Sequence, residues 1–179
     1  MKNTFLLISF LGLGLFSQAQ MFNTGQTLKP NNLSLGIEPV LIIDGPSDGL
    51  NVFVHGGYGL KKGIDFSVKA GIGDQNYFGG DVEWALGKRF SLTTGAHHFG
   101  DFGLDLAVVG TIPINKSAHV YLGCDSDIIF SNEVDILMWL PIGVEIGLSK
   151  RMSFLFEAEV GLTGQTYHII GGGLNFYFN

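Results

Sequence analysis

Ser149-Lys150-Arg151-Met152-Ser153-Phe154-Leu155-Phe156-Glu157-Ala158-Glu159-Val160-Gly161-Leu162 is a short basic turn followed by a strict two-residue alternation. Phe154, Phe156, Ala158, Val160 and Leu162 fall on one face, and Leu155, Glu157, Glu159 and Gly161 on the other. A period of two is the signature of a β-strand, because successive side chains leave a pleated backbone on opposite sides. The segment before the turn repeats the pattern. Ile136, Met138, Leu140, Ile142, Val144, Ile146 and Leu148 oppose Leu137, Trp139, Pro141, Gly143, Glu145 and Gly147. Pro141 cannot donate to a ladder, so Trp139 beside it is read as a register slip or bulge in preference to a filler of the polar face.

Reading outward from this hairpin gives ten alternating segments: 33 to 42, 50 to 60, 64 to 73, 79 to 87, 90 to 98, 102 to 114, 119 to 130, 136 to 148, 153 to 162 and 167 to 178. The number falls to eight if the segment at 33 to 42 or that at 79 to 87 fails to pair. Seven of the ten basic residues sit in four tight connections, at Lys61-Lys62, Lys88-Arg89, Lys116 and Lys150-Arg151. The intervening connections carry Asp44, Asp48, Asp74, Asp101, Glu133 and Asp135. The two ends of the array therefore differ in chemistry. A faint repeat, Gly87-Lys88-Arg89-Phe90-Ser91 beside Ser149-Lys150-Arg151-Met152-Ser153, points to duplicated hairpins.

The chain opens with Lys2, an apolar run from Phe5 to Phe16 and Ser17-Gln18-Ala19, which reads as a secretory signal peptide over residues 1 to 19. That run is too short for a spanning helix, and no later stretch reaches the ~20 residues such a helix needs. A short N-terminal segment, 20 to 32, and a β-barrel domain, 33 to 179, complete the expected organisation. Ten basic against sixteen acidic residues give a formal net charge of −6. That balance disfavours nucleic acid, whose phosphates need clustered Lys and Arg. Cys124 is the single cysteine, so no intrachain disulfide or cysteine-built metal site can form. Placed on the apolar face, it is read as a small buried hydrophobe.

Alternation alone fits a lipid-facing barrel, apolar outside, and a secreted soluble barrel with an apolar ligand inside. The charge census separates them. The polar faces hold Glu38, Asp65, Asp81, Glu83, Asp105, Asp125, Asp127, Glu145, Glu157 and Glu159 but one lysine, Lys69, with His55, His97 and His119. A water-facing exterior mixes both signs and is rich in lysine, whereas a crowded polar lumen tolerates this composition. Aromatic residues also gather at two levels: Tyr58, Trp84, Phe90, Phe154, Phe176 and Phe178 near the basic turns, and Phe78, Phe102 and Phe130 near the acidic loops. Such girdles mark the two interfaces of a membrane barrel. The expected fold is an all-β, antiparallel, up-and-down transmembrane β-barrel.

With its leader, its alternating strands, turns such as Gly147-Leu148-Ser149-Lys150-Arg151-Met152-Ser153-Phe154 and its ending Gly173-Leu174-Asn175-Phe176-Tyr177-Phe178-Asn179, the chain resembles the small outer-membrane β-barrel proteins of Gram-negative bacteria. The resemblance implies an outer-membrane location reached by export. It also implies periplasmic termini and basic turns, outward acidic loops and recognition of Phe178 by the barrel assembly machinery, although here Asn179 follows that aromatic. The expected partners are outer-membrane lipid and that machinery, with a monomeric barrel and no cofactor.

For function, ten carboxylates around one lysine call for raised proton affinity, water or a cation in the lumen. Three readings follow: a hydrogen-bonded plug with a structural role, a narrow cation-favouring pore, or a divalent-cation site. No compact ligand motif appears, so no residue is assigned to a metal. A lipid-modifying enzyme is the alternative class, with His97 or His98, Asp101 and a neighbouring serine as its nearest constellation; His97-His98-Phe99 lacks the serine two residues on that a deacylase pattern carries. Gly171-Gly172-Gly173 has no following helix or Lys-Ser pair and is read as a strand bend or clearance in the lumen.

Overall fold

The computed structural model describes residues 24 to 45, 48 to 73 and 76 to 179. The proposed leader and Asp74 lie outside them. Ten strands follow one another: β1 (Leu33–Ile43), β2 (Gly49–Lys61), β3 (Ile64–Ile72), β4 (Tyr77–Ala85), β5 (Phe90–Phe99), β6 (Asp101–Pro113), β7 (Ala118–Phe130), β8 (Val134–Ser149), β9 (Met152–Gly161) and β10 (His168–Phe178). Each pairs antiparallel with its sequence neighbours, and β10 closes on β1. Both β1 and β4 pair on two sides, so the count is ten and not eight. Closure leaves no strand edge with unpaired backbone groups, the condition for crossing lipid with strands.

The strands are tilted. Following paired residues from Gly36 through His55, Lys69, Gly79, His97, Gly103 and Ile129 ends at Asp135. That path begins near the basic-turn end of β1 and finishes at the acidic-loop end of β8, as the stagger of a closed barrel requires. Two register shifts, at Gly59/Lys61 and Gly147/Ser149, both adjoin basic turns. Gly63 (φ 77°) lets β2 reverse into β3, and Gly100 (φ 92°) lets β5 reverse into β6, conformations that side chains with a Cβ rarely adopt.

The faces fall as the charge census requires. Leu35, Ile37, Val54, Val68, Leu106, Val108, Leu122, Phe156 and Ile170 point outward and are exposed. Apolar residues cover the outside of every strand, which leaves no place for the soluble alternative with its apolar cavity. Phe90 and Phe178 at one level and Phe78 and Phe130 at the other are likewise exposed, and Phe102 and Phe130 lie with ring centroids 5.9 Å apart.

Two expectations need correction. Trp139 marks no register slip: Leu122↔Ile142 and Asp125↔Trp139 belong to one continuous register of β7 on β8. Its indole is 0 % exposed and fills the lumen. Pro141 is accommodated because Gly123 opposite it leaves room, a Cβ there meeting the proline ring at 3.2 Å. Cys124 is exposed on the outer face, not buried in protein. Residues 24 to 32, ahead of β1, fold back against the barrel mouth at the basic-turn end.

Candidate functional site in the lumen

Inward positions of the ten strands build a lumen in three levels. At the acidic-loop end the level is apolar: Ile42, Phe53, Tyr77, Phe99, Ile129, Leu137, Trp139, Tyr167 and Ile169 form one buried cluster. Its rings interlock, Trp139 against Tyr167 at 5.5 Å and 66° and Phe53 against Tyr77 at 5.2 Å and 65°. Edge-to-face pairs of this kind add to the burial of their area. Trp139 Nε1 donates to the Tyr167 carbonyl at 2.9 Å, which satisfies the one polar atom of the indole inside a dry layer. The loop residue Tyr167, just before β10, is thus drawn down over the lumen.

The middle level holds the charged residues. Glu38, Asp81, Asp105, Asp125, Asp127, Glu157 and Glu159 are buried here with Lys69, His55 and His97. Several are held in pairs. Glu38 Oε1 lies 2.9 Å from His55 Nδ1, and Lys69 Nζ lies 3.6 Å from Asp81 Oδ2, whose other oxygen accepts from Ser67 Oγ at 2.8 Å. His97 contacts Asp105 through Nδ1 and lies 3.6 Å from Asp127 through Nε2, while Tyr77 stacks on its ring at 5.8 Å and 20°. Glycines make the space: a Cβ on Gly36 would collide with the His55 ring, one on Gly143 with the Tyr121 ring and one on Gly103 with His97. A side chain added at Gly173 would likewise strike Glu38, so that glycine is lumen clearance, whereas Gly172 lies on the outer face.

The level at the basic turns is polar. Asp65 and Glu83 are buried with Ser91, Thr93, Thr111, Ser153 and Asn175. Tyr177 donates to Glu145 Oε1 at 2.8 Å and exchanges a hydrogen bond with Ser153 at 3.1 Å. Glu145 and His119 are half-buried at the rim. Into this level comes the segment before β1. Leu28 N donates to Asp65 Oδ2 at 2.6 Å, Thr111 Oγ1 donates to the Thr24 carbonyl, and Gln26 meets His119 at 3.3 Å. Asn31 N donates to the Gly59 carbonyl at 2.8 Å and Tyr58 to Asn31 Oδ1 at 3.1 Å. Among the described residues the spaces at this end include a cavity of about 70 Å³ bordered by Leu28, Ser67, Asp81, Glu83 and Asn175, and a vestibule of about 530 Å³ bordered by Lys116, His119, Glu145, Lys150 and Tyr177.

Every acid and histidine singled out for the lumen thus lies on the inward face, with Glu145 and His119 at its rim. Of the constellation considered for lipid chemistry, His97 meets Asp105 and Asp127 inside, His98 is buried, and Asp101 is exposed at the start of β6. Phe178 ends β10 on the outer face, exposed. Two features had no counterpart in the sequence reading. One is the grouping of His97, Asp105 and Asp127, whose donor atoms lie within 4.8 Å of one another; the cross-strand pair Asp105↔Asp127 becomes visible only with the register. The other is the segment 24 to 32, which carries no periodicity to announce where it packs.

Neither a family model nor a curated protein sequence matches the chain. Among solved structures it is similar to a de novo designed transmembrane β-barrel, with a TM-score of 0.50 at 12% identity over 86% of this chain and 100% of that one. It is also similar to the KdgM porin (TM-score 0.49, 11% identity, 82% and 99% of the chains) and to the N-terminal β-barrel domain of OprF from Pseudomonas aeruginosa (0.40, 12%, 84% and 100%). In fold, the chain is a closed ten-stranded antiparallel β-barrel.

Proposed function

We propose that this protein is an integral outer-membrane barrel with a structural role, sealed to solutes at both ends of its lumen and without catalytic function. The observation that carries this reading is the apolar layer around Trp139 and Tyr167, 0 % and 1 % exposed, closing the acidic-loop end. The segment 24 to 32 supports it from the opposite side, because it lies across the mouth and separates a vestibule of about 530 Å³ from an inner cavity of about 70 Å³, room for a few waters. Small barrels have interiors just wide enough for side chains to fill. The outer membrane enters through the apolar outer face and the aromatic levels at its two rims, which match lipid and its interfaces.

If both seals are removed, the exposed path is lined by carboxylates and favours cations. Reconstitution of the mature chain in a planar bilayer tests the reading. The intact barrel is expected to show no steady conductance. A variant carrying Trp139→Ala and Tyr167→Ala and lacking residues 24 to 32 is expected to conduct, with cations preferred over anions. Steady conductance from the intact chain would replace the sealed barrel by a pore.

A further inference from the structure

The inward face of β6 and β7 carries an electrostatic conflict. Asp105 and Asp127 are direct cross-strand partners, both buried, at 4 % and 0 % exposure. Like charges directly opposite one another destabilise a ladder even at the surface, and here no water face is available to screen them. His97 on the adjoining strand β5 reaches both. Its Nδ1 is held by Asp105, which fixes the ring, and its Nε2 then faces Asp127 Oδ2 at 3.6 Å. That separation is too long for a hydrogen bond, and Nε2 has no other hydrogen-bond partner. Two donors bound tetrahedrally at ~2.1 Å from one ion stand ~3.4 Å apart. A ring whose one nitrogen is anchored on a carboxylate while the other is directed to a second donor is the usual support of a metal-bound histidine.

We propose that His97, Asp105 and Asp127 form a binding site for a divalent cation of the late first row, zinc above all. His97 Nε2 and Asp127 supply the protein ligands, and Asp105 orients the imidazole from its Nδ1 side. Nitrogen and carboxylate donors with no thiolate suit such an ion. The cation offsets the charge of the facing aspartates, which three strands in succession bring to one point. Tyr77 stacked over His97 and Gly103 against its edge hold the ring in place. The site lies directly beneath the apolar layer, so it is closed on that side and loads during folding, before the segment 24 to 32 fills the opposite mouth. It is independent of whether the barrel conducts.

The test uses the full mature chain, refolded in detergent with zinc sulfate or with a chelator and then desalted, with bound metal counted by mass spectrometry. About one zinc per folded barrel is expected, falling at least tenfold in Asp127→Asn and in His97→Gln and unchanged in His119→Gln, which controls for the histidine at the rim. The difference in mobility between boiled and unboiled samples reports that each variant has folded. If a variant does not fold, the same protein loaded with cobalt decides: absorption bands of a tetrahedral nitrogen and oxygen site support the proposal. Folded wild-type barrel that holds no zinc and shows no such bands, or an Asp127→Asn barrel that retains its zinc, overturns it in favour of an imidazolium clamped between two carboxylates.

Discussion

Trp139 Nε1 donates to the main-chain carbonyl of Tyr167 across the lumen, and this bond ties the loop before β10 to the inner face of β8. The ring of Tyr167 rests edge-on against the indole. Removing Trp139 therefore deletes the largest side chain of the apolar layer and leaves a buried carbonyl without its donor. Trp139→Ala is expected to cost ~3–5 kcal/mol, whereas Trp139→Phe, which keeps most of the volume, is expected to cost ~1–3 kcal/mol for the lost hydrogen bond. Urea titration of the barrel in lipid vesicles, followed by the mobility difference on boiling, measures both. Equal costs would mean that the hydrogen bond contributes nothing.

Lys69 is the one lysine on the inward face, and its partner Asp81 is held by Ser67 as well. Losing a partner in a buried ion pair leaves an uncompensated charge and costs ~3–5 kcal/mol, more than replacing the pair with neutral groups. Lys69→Met is thus expected to destabilise strongly, and Lys69→Met with Asp81→Asn to recover most of the loss. A double mutant no more stable than the single one would show that Lys69 serves the wider set of carboxylates and not Asp81 in particular.

These relationships divide by how local their causes are. The strands were legible because alternation is a property of neighbours in sequence, and each observed boundary falls within two residues of the expected one. Which face meets lipid was legible from charge alone, since ten acids with Lys69 fit no water-exposed surface. The contacts within the lumen were not. Asp105 meets Asp127 because of the residues in the turn between β6 and β7, and His97 joins them through the stagger of β5 on β6. Trp139 was misjudged because Pro141 was weighed as a local break. The closed ladder on both sides of β8 holds that strand in register despite the missing donor.

Asp65 Oδ2 accepts from the backbone N–H of Leu28, so one carboxylate anchors the segment that fills the mouth. Asp65→Ala removes that acceptor and is expected to weaken the docking by ~1–3 kcal/mol. The readout is thermolysin cleavage between Thr27 and Leu28, which requires the segment to open locally while the barrel stays closed. Cleavage about tenfold faster or more is expected in Asp65→Ala, and little change in Asp65→Asn, whose amide oxygen still accepts. Equal rates in all three proteins would mean that the segment is held by its backbone contacts at Gly59 and Thr111 and not by Asp65.

Val108 stands midway along β6 on the outer face, and Ile114 just beyond the basic-turn end of the same strand; both are exposed. In water the two positions would tolerate arginine equally, since neither side chain is packed against protein. In a bilayer they differ, because an arginine at mid-depth is surrounded by hydrocarbon whereas one at the rim reaches head groups and water. Val108→Arg is expected to cost ~2–4 kcal/mol and Ile114→Arg ~0–1 kcal/mol, measured by urea titration in lipid vesicles. Protein from a urea-washed membrane fraction should show the same order, with the folded, fast-migrating form depleted in Val108→Arg alone. Equal tolerance of both substitutions would place the outer face away from lipid and remove the physical basis for a membrane barrel.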